Sequence, residues 1–271
     1  MIILAATPIG NLGDASRRLI EVLENAEIVA AEDTRTTQRL LKALQIDNRP
    51  RLIALHDHNE KHKAVELAEI AADQDVVVVS DAGMPAISDP GYGLVAAAVE
   101  RGVTVTAVPG PSAALMALAI SGMPTDRFTF EGFLPRKPGE RRQTLRMLAS
   151  EPRTMIFFES PARLATSLAD MGEAFGADRR IAVCRELTKL YEEVRRGTAD
   201  ELVAWAEAGV KGEIVVVVEG AVPVAVSAEN ALAQVQALVA SGLRLKEACA
   251  EVAAATGLSS RDLYQAALAA R

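Results

Sequence analysis

The sequence predicts an α/β protein of two domains followed by a small helical module. Three observations carry this. Over residues 1–122 short β-rich runs alternate with helical patterns, the mark of a largely parallel sheet covered by helices. Over 123–220 the apolar runs sit closer together with fewer helices between them, which reads as a mixed α+β domain. After a linker-like stretch at 221–227 (AVPVAVS), residues 228–271 keep helical spacing alone.

Ile2–Ala6 reads as the first strand, and Asp14 as the N-cap of a helix near Ala15–Glu24. Ile28–Ala31 is a second strand, followed by a helix around Thr36–Leu44. Leu52–Leu55, Val76–Ser80 and Val103–Val108 continue the strands, with helices over Ala64–Ala72, Leu94–Arg101 and Ser112–Ser121. The Val76–Val79 run is continuous and apolar, as a strand covered on both faces requires. In the second domain Phe128–Phe130, Thr154–Phe158, Ile181–Arg185, Val194–Arg196 and Ile214–Glu219 read as strands, and Tyr191–Arg196 follows Ile181–Arg185 closely enough for antiparallel pairing. The C-terminal residues read as three short helices stopped near Gly242 and Gly257, the last opened by a capping box at Ser259–Asp262. Such a module is either helix-turn-helix in kind or a helical tail packed on a body or partner.

The chain has 271 residues, a formal charge of −7, half of its residues hydrophobic and 24% charged. That composition is too apolar for disorder and too acidic for a general nucleic-acid coat. No apolar run approaches the roughly 20 residues that cross a bilayer, and the N-terminus lacks a basic export signal. Cys184 and Cys249 are too few for a disulfide framework or a zinc cluster. A cytoplasmic location, without membrane association, is therefore expected.

Three Gly/Pro-rich loops follow strands: Thr7–Asp14, Ser80–Gly91 and Val108–Ala113. Singly each is a strand-to-helix turn; together, on the carboxyl edge of one sheet, they point to a ligand cleft. There is no P-loop and no G-x-G-x-x-G fingerprint, so nucleotide phosphate binding of those kinds is excluded. Loops with few glycines but with Pro, Ser and Asp suit a ligand without phosphates. Backbone groups would read an adenine edge while Asp81 and Ser112 serve hydroxyl or amine groups, a description that S-adenosylmethionine fits.

TPIGNLGD, AEDTRTTQRLL, HDHNEKH, SDAGMPAISDPG, the run from VPGPSA to FLPRKPGER, FFESPARL, CRELTKLYEEVRRG and KGEIVVVVEG together resemble the ribosomal RNA small subunit methyltransferase I family, within the tetrapyrrole methylase superfamily. The likeness spans roughly residues 1–220, and 228–271 resembles the family's helix-turn-helix extension. It implies a two-domain tetrapyrrole-methylase-like fold with the methyl donor, S-adenosylmethionine, bound in the interdomain cleft. It also implies a homodimer acting on a cytidine ribose 2′-hydroxyl in the decoding region of 16S ribosomal RNA, within the small ribosomal subunit. By motif position Pro8, Asp81, Gly83, Met84, Ile87, Ser112 and Ala113 would line the donor site from one side, and Phe158, Leu187 and Glu213 from the other. Superfamily members carry G-G-D-P where this chain has Ala82-Gly83-Met84-Pro85, so contacts there are expected to be mainly backbone.

A ribose hydroxyl is a poor nucleophile, and a base would add roughly 10²–10⁴-fold. His56, His58, Asp33, Asp81, Glu186 and Lys189 are the groups the motifs offer. Glu186 and Lys189 are the leading catalytic pair, either orienting the hydroxyl or accepting its proton, and otherwise a structural ion pair. His56, His58 and His62 provide enough ligands for a metal, but in a spacing no zinc pattern uses. No metal is expected, and His56 is assigned to a polar loop touching RNA or a partner subunit. RNA contact is expected where charge reverses. Between Glu131 and Arg153, Arg136, Lys137, Arg141, Arg142, Arg146 and Arg153 outnumber three acidic residues. Arg35 either reads the substrate or clamps a loop. Two other readings compete with RNA ribose methylation. A methyltransferase acting on a small tetrapyrrole would need neither the basic segment nor the tail. A DNA-binding regulator would need a basic recognition face, which a tail of balanced charge lacks.

Overall fold

The computed structural model describes residues 1–56, 58–222 and 228–270, which form two compact units, Met1–Ala221 and Val222–Arg271. The first unit opens with β1 (Ile2–Ala5), α1 (Arg17–Asn25), β2 (Ile28–Ala31), α2 (Thr34–Ala43), β3 (Arg51–Ala54), α3 (Glu60–Asp73), β4 (Val76–Val79), α4 (Tyr92–Glu100), β5 (Val105–Val108) and α5 (Ala113–Ser121). Its strands form one sheet in the order β3-β2-β4-β1-β5, and every pairing is parallel. Alternation along each strand builds two cores. Ile2, Ile28, Val76 and Val78 pack with Leu67 and Leu94 beneath α3 and α4. Val29, Val77 and Val79 pack with Leu19, Leu23 and Leu41 beneath α1 and α2. All four valines of β4 are buried, as their unbroken run requires.

The second sheet follows from β6 (Phe128–Phe133), α6 (Pro138–Met147), β7 (Thr154–Glu159), α7 (Pro161–Phe175), β8 (Ile181–Arg185), β9 (Glu193–Gly197), α8 (Ala199–Glu207) and β10 (Ile214–Val218). Its order is β6-β7-β10-β8-β9. Only β6 and β7 run parallel, and β8 pairs antiparallel with β9 from Ile181↔Gly197 to Arg185↔Glu193. One face packs Met155, Phe157, Val183 and Val216 against Leu145, Leu164, Leu168 and Leu202 of the following helices. The other face packs Ile156, Ala182, Cys184, Val215 and Val217 against Ala114, Ala117 and Leu118 of α5. Helix α5 precedes the expected boundary at residue 122 in the chain, yet it is a layer of the second sheet. Arg196 Nε fixes its end, donating to the Ser121 carbonyl at 2.7 Å.

Two local expectations change. Asp14 lies in a single 3₁₀ turn, Leu12–Asp14. Ser16 caps α1 instead, accepting from the Leu19 N–H at 3.0 Å, because the hydroxyl two residues later is the one that reaches the third N–H of the helix. Strand β6 continues past Phe130 to Phe133 through a register shift.

The second unit holds α9 (Ala228–Ala240), α10 (Leu245–Thr256) and α11 (Ser260–Ala269). Ala231, Val235, Cys249, Val252, Leu263 and Ala267 form its own core. Gly257 ends α10 in the left-handed conformation at φ 73°, and Ser259 caps α11 through the Asp262 N–H at 3.3 Å. Of the linker expected at 221–227, residues 223–227 lie outside the described residues.

Candidate active site

The carboxyl ends of β1, β2, β4 and β5 meet at one edge of the parallel sheet, where ligands of open α/β sheets bind. Backbone bonds tie the loops there. The Thr7 N–H donates to the Gly83 carbonyl at 2.9 Å, and the Gly83 N–H returns to the Thr7 carbonyl at 3.1 Å. Gly110 runs so close to β1 that a Cβ on it would stand 2.9 Å from the Ala6 side chain. Any larger residue would push the β5 loop away from the β1 loop.

These loops form one side of a cavity of about 410 Å³, and the second sheet forms the other. Nine of the ten residues assigned to the donor line it: Asp81, Gly83, Met84, Ile87, Ser112 and Ala113 from the parallel sheet, and Phe158, Leu187 and Glu213 opposite. Pro8 does not. It lies in a neighbouring cleft of about 220 Å³ with Leu12, Thr36, Arg39, Leu40 and Asp81. The lining also takes in Ile9, Glu32, Ala82, Asp89, Phe133, Glu159, Ser160 and Pro161, and the Gly212–Val215 edge of β10. Glu32 was legible as the residue at the end of β2, on the same edge as the loops. Phe133 was not, because its place depends on the register shift in β6.

The lining is largely apolar, with the carboxylates of Glu32, Asp81, Asp89, Glu159 and Glu213. Burial, with the Asp33 carboxylate nearby, raises the Asp81 carboxyl above the usual range. Hydrogen bonds from the Asp33 backbone and the Thr36 side chain offset this only in part. The Asp81 N–H donates to Glu32 Oε2 at 3.1 Å. Glu159 is buried but satisfied, accepting from the Ser160 N–H at 2.8 Å and Ser167 Oγ at 2.6 Å. Such a cavity fits a ligand with apolar parts and a positive charge.

Glu186 and Lys189 stand beside the lining residues Leu187 and Glu213. Lys189 Nζ donates to Glu186 Oε1 at 2.9 Å and to Glu213 Oε2 at 3.0 Å. Glu186 Oε1 also accepts the Glu213 N–H at 2.9 Å. That N–H first, then the ammonium, hold the Glu186 carboxyl below the usual range. Burial alone would lower the Lys189 ammonium, but its bonds to Glu186 and Glu213 outweigh this and raise it. Lys189 is thus a fixed cation, suited to orienting an oxygen and not to accepting a proton.

The residues assigned to RNA divide. Arg136 and Lys137 are exposed, with Lys137 pairing with Glu140 on the surface at 2.9 Å. Arg142 is exposed on α6, 4.0 Å from Asp170. Arg141 cannot contact RNA as expected. Its side chain is 7% exposed and its Nε donates to Asp170 Oδ2 at 2.7 Å, because the helix turns this one position into the α6–α7 interface. Arg153 is committed to Glu151, whose carboxyl the pair pulls down to about 2. Arg35 is exposed in the first turn of α2, where its N–H donates to Asp33 Oδ1. His56 is half-buried, outside the cavity lining, with its ring 6.0 Å from that of His58. Among the described residues no three His, Cys, Asp or Glu side chains converge as a metal-binding group.

Residues 1–203 match the family described as Tetrapyrrole (Corrin/Porphyrin) Methylases, and residues 224–271 match the RsmI C-terminal HTH domain. A Mycobacterium tuberculosis protein named Ribosomal RNA small subunit methyltransferase I is 53% identical over 272 residues, 100% of this chain and 95% of that protein. The protein of that name from Escherichia coli O157:H7 is 44% identical over 269 residues, 98% of this chain and 93% of its own length. Among solved structures, the methyltransferase CobJ aligns with a TM-score of 0.61 at 22% identity, covering 81% of this chain and 94% of that one. Diphthine synthase aligns at 0.58 and 14%, covering 80% and 89%; both likenesses speak for the fold. On the full-length identity and the matched domains, the chain is a methyltransferase and belongs to the ribosomal RNA small subunit methyltransferase I family.

Proposed function

We propose that the protein transfers a methyl group from S-adenosylmethionine to the 2′-oxygen of a cytidine ribose in the decoding region of 16S ribosomal RNA. The substrate is the small ribosomal subunit, and the enzyme works in the cytoplasm as a homodimer. The observation that carries this reading is the acid-lined, partly apolar cavity between the loop edge of the parallel sheet and the second sheet, in a chain alike over its whole length to proteins named as ribosomal RNA small subunit methyltransferases.

S-adenosylmethionine supplies the methyl group on a sulfonium leaving group. The backbone of Gly83, Met84 and Ala113 holds the donor, with the Asp81 and Glu213 carboxylates favouring its positive charge. The protein's main contribution is alignment of oxygen, methyl and sulfur, which can be worth roughly 7–11 kcal/mol. Lys189 donates a hydrogen bond to the ribose, held for that task by Glu186 and Glu213. Glu186 is spent on these partners. Asp81, whose carboxyl binds protons more tightly than usual, is the stronger acceptor for the hydroxyl proton. Arg136, Lys137 and Arg142 hold phosphates outside the cavity, and Arg35 and His56 extend the same contact along the sheet edge.

Single-turnover methyl transfer to small subunits tests the assignments. Lys189→Ala is expected to lower the rate about 10²-fold through lost alignment, and Asp81→Asn by about 10²–10⁴-fold. Unchanged rates in either variant would remove that residue from the mechanism.

A further inference from the structure

Phe133, the last residue of β6, lines the cavity and yet is 59% exposed, in a chain of which only 4% is aromatic. Its position is built into the strand. β6 pairs with β7 from Phe128 to Phe130; Glu131 then enters as an extra residue before Gly132 pairs with Phe157 and Phe133 with Phe158. Strict alternation would turn Phe133 to the face opposite Phe130. The bulge returns it to the face of Phe130, Ile156 and Phe158, the face toward the cavity. Gly132 makes this possible at φ 65°, in the left-handed region that other residues avoid. The Phe133 ring meets Phe158 edge to face at 5.6 Å, and Phe158 meets Phe130 at 4.9 Å. The ladder fixes the outer ring while leaving it accessible.

The chain beyond the ring is equally ordered. Arg163 donates to the Leu134 and Pro135 carbonyl oxygens at 2.9 and 3.0 Å. The next residues, Arg136 and Lys137, point into solvent. A flat apolar face at the cavity mouth therefore leads within four residues to two cations. That juxtaposition matches a nucleotide, with a base to stack and phosphates to neutralise.

We propose that Phe133 is the stacking platform for the target nucleobase, swung out of its strand, while Arg136 and Lys137 hold the flanking phosphates. The proposal rests on RNA being the substrate, and it adds the place where the base goes. A ribose oxygen inside a stacked strand cannot enter a cavity between two sheets, so the nucleotide must leave the stack. An aromatic face offsets part of the unstacking cost. Stacking is tolerant of base identity, so Phe133 sets position, not sequence.

The test compares wild type with Phe133→Ala, Phe133→Leu and Phe133→Trp in single-turnover transfer to unmodified small subunits, alongside calorimetric S-adenosylmethionine affinity and thermal unfolding. Ala and Leu should each lower the rate at limiting subunit concentration by about 10- to 100-fold, the loss of one base stack. Trp should stay within about threefold of wild type, as should the donor affinity of every variant. Full activity in the Leu variant would make the ring a mere apolar wall and overturn the proposal. A fall in donor affinity matching the fall in rate would place the ring in the donor site, with the same consequence. If wild type binds the donor but transfers nothing to subunits, the RNA reading itself fails, an outcome visible without any Phe133 variant.

Discussion

Lys189, at 2.9 Å from Glu186 and 3.0 Å from Glu213, sets the pH behaviour of the site. A raised lysine contributes fully below its ordinary pKa and loses that contribution as pH rises through the raised value. A lowered carboxyl contributes above the ordinary carboxylate range and loses it as pH falls through the lowered value. Both directions hold here, so the pair stays charged between those limits. The pH–rate profile should show no Lys189 inflection between about pH 6 and 9. A rise in rate that disappears in Lys189→Arg would instead make the lysine a base. Asp81, raised by burial, should give the inflection on the acid side, absent in Asp81→Asn. At Arg141 the expected effect is on stability. Arg141→Ala leaves the buried Asp170 with only Arg142 beside it, at 4.0 Å, which should cost up to about 3 kcal/mol in chemical denaturation. Replacing both by apolar residues of similar size should recover most of it. Sequence pattern marked Arg141 as basic but not as inward, since Arg141 and Arg142 are neighbours and only the packing of α6 on α7 decides which one turns in.

At the scale of elements, α6 and the loop before it carry a cluster of exposed cations, Arg136, Lys137, Arg142 and Arg146. Arg136→Ala with Arg142→Ala should weaken binding of small subunits and flatten its salt dependence, with donor affinity unchanged in calorimetry. An unaltered salt slope would remove this face from the RNA interface. Strands were legible because valine and isoleucine runs such as Val76–Val79 and Ile214–Val218 read the same alone or packed. The bulge at Glu131 was not, because one extra residue leaves no mark in an apolar pattern while reversing which face Phe133 takes. Ser16 and Asp14 are both good caps, and only the path of the 3₁₀ turn between them selects Ser16. Nine of the residues assigned to the donor line one cavity, a convergence legible through motif resemblance and the rule that loops at strand carboxyl ends form sites. Pro8 stands apart because it lies on the other side of the β1 loop, in the cleft against α2.

At the scale of the molecule, a chain of net charge −7 has a local excess of positive charge between Glu131 and Arg153. Such a distribution favours a folded ribonucleoprotein over free RNA, because few phosphates are neutralised and shape must supply the rest. The 222–271 unit has a core of its own. A chain ending at residue 221 should therefore bind S-adenosylmethionine within about twofold of the full protein; a larger loss would mean that the tail supports the donor cavity. The most direct measurement of the central claim is transfer of a labelled methyl group from S-adenosylmethionine. The acceptors would be small ribosomal subunits from cells lacking this protein, naked 16S RNA and a tetrapyrrole precursor. The account predicts label on a cytidine ribose in the subunits and little on naked RNA. Label on the tetrapyrrole alone would contradict the substrate while leaving the fold and the methyl-transfer chemistry in place.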